Sequence, residues 1–151
     1  MLLDTLRKKL IEAVKARDTV GTDTLRFLLS GLKNTAIAKY GPAREASLTD
    51  ADVLDGIRIQ VKSHRESIEA FTKGKRDDLV NKEKKELAIL ETFLPPGLSD
   101  EELEALLQPV ISSGETNFGS LMKRAMELVA GRADGGRVAA LLKKNTNLKS
   151  Q

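Results

Sequence analysis

The chain has 151 residues, with 25 Lys+Arg against 22 Asp+Glu, one His and no Cys, for a formal charge of +3. Without cysteine there can be no disulfide framework, Cys-based zinc site, iron–sulfur cluster or thiol nucleophile, and one histidine excludes a multi-His metal site. No apolar run approaches the ~18 residues needed to span a bilayer, and Asp4, Arg7 and Lys8 put charge too early for a signal-peptide core, so a soluble protein of a reducing compartment, cytoplasmic in location, is expected.

Leu, Ala, Glu and Lys dominate and only five residues are aromatic, a composition that favours helix over strand. The first segment, about 2–17, repeats Leu3, Leu6, Leu10, Ala13 and Val14 at helical spacing, and Gly21 is read as its interruption. The second starts near Thr22-Asp23, carries the stripe Leu25, Leu28, Leu29, Leu32 and Ala36, and stops at Tyr40-Gly41-Pro42. The third opens on Thr49-Asp50-Ala51-Asp52, a cap with acid in the first turn. Its seam is Leu54, Ile57, Val61, His64, Ile68 and Phe71. Ile57-Arg58-Ile59-Gln60-Val61 alone would also suit a strand, but the longer period favours helix.

Lys73-Gly74-Lys75 reads as a tight turn into a fourth helix, about 77–94, with Leu79, Leu87, Leu90 and Leu94 on one side. Segments three and four thus form a long helical hairpin. Leu94-Pro95-Pro96-Gly97-Leu98 is a boundary, because two prolines and a glycine cannot extend the helix. Ser99 and Glu102 have capping-box spacing before Leu103, Leu106 and Leu107, and Pro109 is expected to end or kink that helix early. A further helix is expected over about 120–129, a turn over Gly131–Arg137, a last helix over about 135–144 with Val138, Leu141 and Leu142 inward, and a frayed tail over 145–151.

Charge divides unevenly. Residues 1–94 hold 18 basic and 15 acidic groups; residues 95–115 hold five acids and no base; residues 116–151 hold seven bases and two acids. The C-terminal part is therefore an acidic helix followed by a basic helical pair.

Four groups of residues invite a functional reading. His64, the only histidine, could serve as a general base, but no triad surrounds it, and a histidine packed in a helical seam is the plainer account. Asp50, Asp52 and Asp55 lack the order of a calcium loop and suit a helix N-terminus. Arg58, Lys62 and Arg65 share one helical face, with Glu66 and Glu69 as local partners. In Gly131-Arg132-Ala133-Asp134-Gly135-Gly136-Arg137, glycines and two arginines sit at a helix start, which suits either a tight turn or a phosphate contact. It is not a P-loop, since no Gly-Lys-Ser/Thr follows.

Thr24-Leu25-Arg26-Phe27-Leu28-Leu29 with Leu32-Lys33-Asn34, then Glu66–Phe71, Leu87–Pro95, and Gly131–Gly135 followed by Val138, resemble in order the motifs of the YqeY family. That family is similar to the C-terminal region of the B subunit of tRNA-dependent amidotransferases, where a helical domain and a small tail contact the folded body of the tRNA. The resemblance implies an all-α protein with an N-terminal helical domain over 1–94, a linker over 95–98 and a three-helix tail over 99–151. Pro109 and the short turn before Phe118 depart from the family pattern.

The resemblance also implies a non-catalytic adaptor for tRNA or other folded RNA. Aminoacyl-tRNA or amidotransferase proteins are possible partners, and no membrane, metal or cofactor is expected. Expected RNA contacts are Arg132, Arg137, Gly131, Gly135, Gly136, Lys123, Arg124, Lys143 and Lys144; no catalytic residue is assigned. The alternatives are a protein-interaction module of the translation apparatus, or an accessory part of a carbon–nitrogen ligase with glutamine as amido-N donor.

Overall fold

A computed structural model describes residues 1–146; of the tail expected over 145–151, Asn145 ends the last helix and Thr146 caps it, and the rest, with Lys149, lies outside the described residues. Among the described residues there are seven α-helices: α1 Leu2–Lys15, α2 Thr19–Tyr40, α3 Asp50–Lys73, α4 Asp77–Glu91, α5 Asp100–Ile111, α6 Phe118–Val129 and α7 Gly135–Asn145. A 3₁₀ turn, Glu45–Ser47, lies between α2 and α3, and no strand occurs among the described residues. The fold is all-α, as the helical periodicity indicates. Two compact units divide the chain, Met1–Leu94 and a second beginning at Pro95.

In the first unit, α1 ends at Lys15, close to the expected bound near 17, but Gly21 is not the interruption that the sequence pattern suggests. Arg17 takes the left-handed conformation at φ 55°; its N–H donates to the Val14 carbonyl and that of Asp18 to the Ala13 carbonyl. This is a Schellman ending built without glycine. Asp18 then caps α2, accepting from the Gly21 N–H at 2.9 Å. Gly21 is therefore inside the helix. The hairpin turn repeats the device: Lys75, not Gly74, adopts φ 55°, with the Lys75 N–H on Thr72 and the Arg76 N–H on Phe71.

The third helix starts on a full capping box between Thr49 and Asp52. Within it, Ile57 and Val61 are buried while Ile59 is 70% exposed. A strand would put all three on one face; a helix turns Ile59 to the opposite side. The core combines Leu3 and Leu6 of α1, Leu25, Leu28 and Leu32 of α2, Val53, Ile57 and Val61 of α3, and Leu90 of α4. Gly56 brings α3 close to α2, since a β-carbon there would stand 2.6 Å from Leu32 Cδ2.

The second unit is a three-helix cluster closed on Leu103, Leu107 and Val110 of α5, Leu121, Ala125 and Val129 of α6, and Val138 and Leu142 of α7. Leu98 is also in this core, its N–H donating to the Arg132 carbonyl at 3.0 Å. The Ser99–Glu102 capping box forms. Pro109, however, does not end α5, which continues to Ile111. Val110 is 1% exposed, and its burial holds the last turn against the hydrogen bond that proline forgoes.

Candidate functional site

Two places carry polar chemistry: the basic helical pair of the second unit, and a cleft in the first.

In the second unit, the buried stripe Leu121, Ala125 and Val129 points α6 inward and leaves Lys123 and Arg124 exposed on its outer side. At its end Ala130 (φ 48°) and Gly131 (φ 78°) are both left-handed, and the glycine accepts that conformation without steric cost. Gly135 and Gly136 are not used this way. They form the first turn of α7, under an N-cap made by Asp134, which accepts from the Arg137 N–H at 2.9 Å. That carboxylate occupies the helix end where a phosphate would otherwise be favoured.

The two arginines differ. Arg132 is exposed and makes no ion pair among the described residues. Arg137 turns back: one guanidinium nitrogen donates to the Leu98 carbonyl at 2.9 Å and to Asp100 Oδ1 at 2.7 Å. It fastens the start of α5 to the start of α7. At the far end of α7, Lys143 Nζ sits 5.3 Å from the Phe118 ring centre, a cation–π contact with the first turn of α6, and Lys144 is exposed. At 1.5 Å per residue, α7 separates the lysines from the glycine turn by roughly 15 Å. Arg132 and Arg137 therefore lie at one end of the α6–α7 pair and Lys143 and Lys144 at the other, with Lys123 and Arg124 midway along α6.

In the first unit, the acids at the start of α3 are structural. Asp52 is buried and accepts from Tyr40 Oη at 2.8 Å and from the Thr49 N–H and hydroxyl at 2.9 Å each, and it pairs with Lys39. Lys39 first, then Thr49 and Tyr40, hold its carboxyl far below the ordinary range. Asp50 accepts from the Leu2 N–H at 2.9 Å and Asp55 pairs with Arg58 at 2.9 Å. Lys62 pairs with Glu66 and Arg65 with Glu91. The cations of that face are thus matched, though Glu69 serves Lys73 instead.

The seam position of His64 opens on a cleft of about 370 Å³. Asp23, Thr24 and Phe27 of α2, Gln60, Ser63, His64 and Ser67 of α3, and Glu83 and Glu86 of α4 line it. His64 Nδ1 is hydrogen-bonded to Glu83 Oε2 and lies 3.7 Å from Glu86 Oε2. One donor atom from each of the three lies within 4.8 Å of the others. The sequence reading passed over Glu83 and Glu86. The available signal was their i, i+3 spacing on the helix that pairs with α3, which puts both carboxylates on one face.

The family model described as Yqey-like protein matches residues 3–146. Among curated relatives, the chain is 27% identical over 138 residues to "Altered inheritance of mitochondria protein 41, mitochondrial" of Pyrenophora tritici-repentis, covering 88% of this chain and 74% of that protein. The protein of the same name from Lachancea thermotolerans is 31% identical over 131 residues, 85% and 68% of the two chains. That from Eremothecium gossypii is 32% identical over 118 residues, 77% and 62%. These names correct the expected cytoplasmic location: the relatives are mitochondrial proteins, and they point to a mitochondrial rather than a cytoplasmic setting.

Proposed function

We propose that this chain, which belongs to the YqeY family, is a non-catalytic adaptor that binds tRNA or another folded RNA through the basic pair α6–α7. One observation carries the reading. Lys123, Arg124, Arg132 and Lys144 are exposed, have no acidic partner among the described residues and have only Glu127 and Asp134 as acids over 116–146, whereas the unpaired cations of the first unit, Lys82, Lys84 and Lys85 of α4 among them, stand among fifteen acids. Unmatched surface cations are the ones free to replace the counterions of a phosphate backbone. The resemblance to the tail of the tRNA-dependent amidotransferase B subunit supports folded RNA as the ligand class. Five aromatics in 151 residues leave little for base stacking on single strands, which favours recognition of backbone and shape.

The test is tRNA affinity measured from about 50 to about 200 mM salt. Each phosphate contact removed lowers the magnitude of the slope of log K against log salt by about 0.7–0.9. Lys123→Ala, Arg124→Ala and Arg132→Ala together should flatten it by roughly 2.1–2.7 if all three touch phosphate. Arg58→Ala with Lys62→Ala should leave it nearly unchanged. A wild-type chain that binds no tRNA at low salt would turn the reading to the protein-interaction alternative. A larger slope change from Lys82→Ala, Lys84→Ala and Lys85→Ala would move the face to α4.

A further inference from the structure

We propose that His64, Glu83 and Glu86 form a binding site for a single divalent transition-metal ion, of the zinc class, at the α3–α4 hairpin. This goes beyond the RNA reading and involves the other unit of the chain. The donor set is one imidazole nitrogen and two carboxylate oxygens, a mixed N/O set that suits zinc and related ions. Oxygen and nitrogen donors at 2.0–2.2 Å from a tetrahedral ion lie roughly 3.3–3.6 Å apart. His64 to Glu86 is already 3.7 Å, and the three donors fall within 4.8 Å. To admit the ion, the direct His64–Glu83 hydrogen bond must open and the carboxylates must draw in from a spread of at most 4.8 Å.

Charge and burial point the same way. The three side chains are 14%, 19% and 18% exposed. No Lys or Arg pairs with either glutamate, and Glu86 accepts no hydrogen bond among the described residues. Even a protonated His64 would balance only one of the two partly buried carboxylates. A divalent ion removes that deficit. A second, independent feature lies one helical turn away. Gln60 lines the same cleft, and its Oε1, buried from solvent, has no hydrogen-bond partner among the described residues. Three protein ligands leave a coordination position for water or a small anion, as in open zinc sites. The cleft gives such a ligand a way in.

The experiment is calorimetric titration of Zn²⁺ into the tag-free full chain, stripped beforehand with a chelator. Because His64 is the sole histidine and cysteine is absent, no other strong zinc donor competes. One equivalent should bind, and the single set of imidazole NMR resonances should shift with it. His64→Ala and Glu86→Gln should each weaken binding by more than the 10–100-fold that loss of an outer-shell partner costs. Glu86→Gln breaks no hydrogen bond within the described protein, so it tests the site even if His64→Ala disturbs packing. Asp78→Asn, an acid outside the cluster, should leave binding unchanged. Zinc bound no more tightly by wild type than by Glu86→Gln, or imidazole resonances that do not move, would overturn the site.

Discussion

Arg137 and Arg132 flank the same glycine turn, yet the structure separates their roles, and Arg137→Ala is the perturbation that exposes the difference. The Arg137 guanidinium donates to the Leu98 carbonyl at 2.9 Å and to Asp100 at 2.7 Å. The Asp100 side chain is 87% exposed, so that ion pair by itself contributes at most about 1 kcal/mol. The partly buried carbonyl is the costlier loss, since hydrogen bonds involving a charged group contribute about 1.5–3 kcal/mol. With the carbonyl bond as the larger part, the substitution should destabilise the second unit by roughly 1.5–3 kcal/mol. At 1.4 kcal/mol per tenfold, that is about 10–140-fold faster amide exchange in the globally protected parts of α5–α7. Hydrogen exchange read by mass spectrometry on peptides from α5 and α7 measures this directly, and peptides from α3 serve as the internal reference. Arg132→Ala, whose side chain makes no such bond, should leave exchange unchanged and act only on the salt slope of RNA binding. The reasoning fails if Arg137→Ala leaves exchange in α5–α7 untouched while flattening the salt slope by about 0.7–0.9; Arg137 would then be a phosphate contact and not a fastener.

The Asp52 network gives a prediction in pH. Its folded-state carboxyl lies below the unfolded value, so its stabilisation is present above about pH 4 and is lost as acid carries the pH down toward the folded value. The difference in thermal midpoint between wild type and Asp52→Asn should therefore be widest at neutral pH and narrow steadily from about pH 4 to pH 2; a pH-independent difference would refute the account. In the small core of the second unit, Leu107 is fully buried, and Leu107→Ala should cost about 2–5 kcal/mol in denaturant unfolding. Leu106→Ala, only partly buried against the same cluster, should cost clearly less, and equal costs would contradict the packing described.

Periodicity along the chain was sufficient for the all-helical class, the α3–α4 hairpin and the capping boxes at Thr49 and Ser99, because these depend on residues three to four apart. Local rules misjudged two of the breaks that glycine and proline seemed to mark, Gly21 and Pro109. Arg17 and Lys75, not Gly21 and Gly74, take the left-handed positions after α1 and α3, since the Schellman hydrogen bonds favour the right place in the chain over the most permissive residue. Pro109 stays within α5 because Val110 is drawn into the core. The basic residues of α6–α7 were legible as composition, but which of them is uncommitted was not. Arg137 finds its acceptors at Leu98 and Asp100, 39 and 37 positions away, and only the closing of three helices brings them together. The same holds for His64: nothing within a few residues explains it, and its partners Glu83 and Glu86 arrive only when α4 folds back along α3. Short-range spacing determines helices and their caps. The pairing of charges across helices is decided by tertiary packing, because the burial that makes an unmatched charge costly exists only once the helices have met.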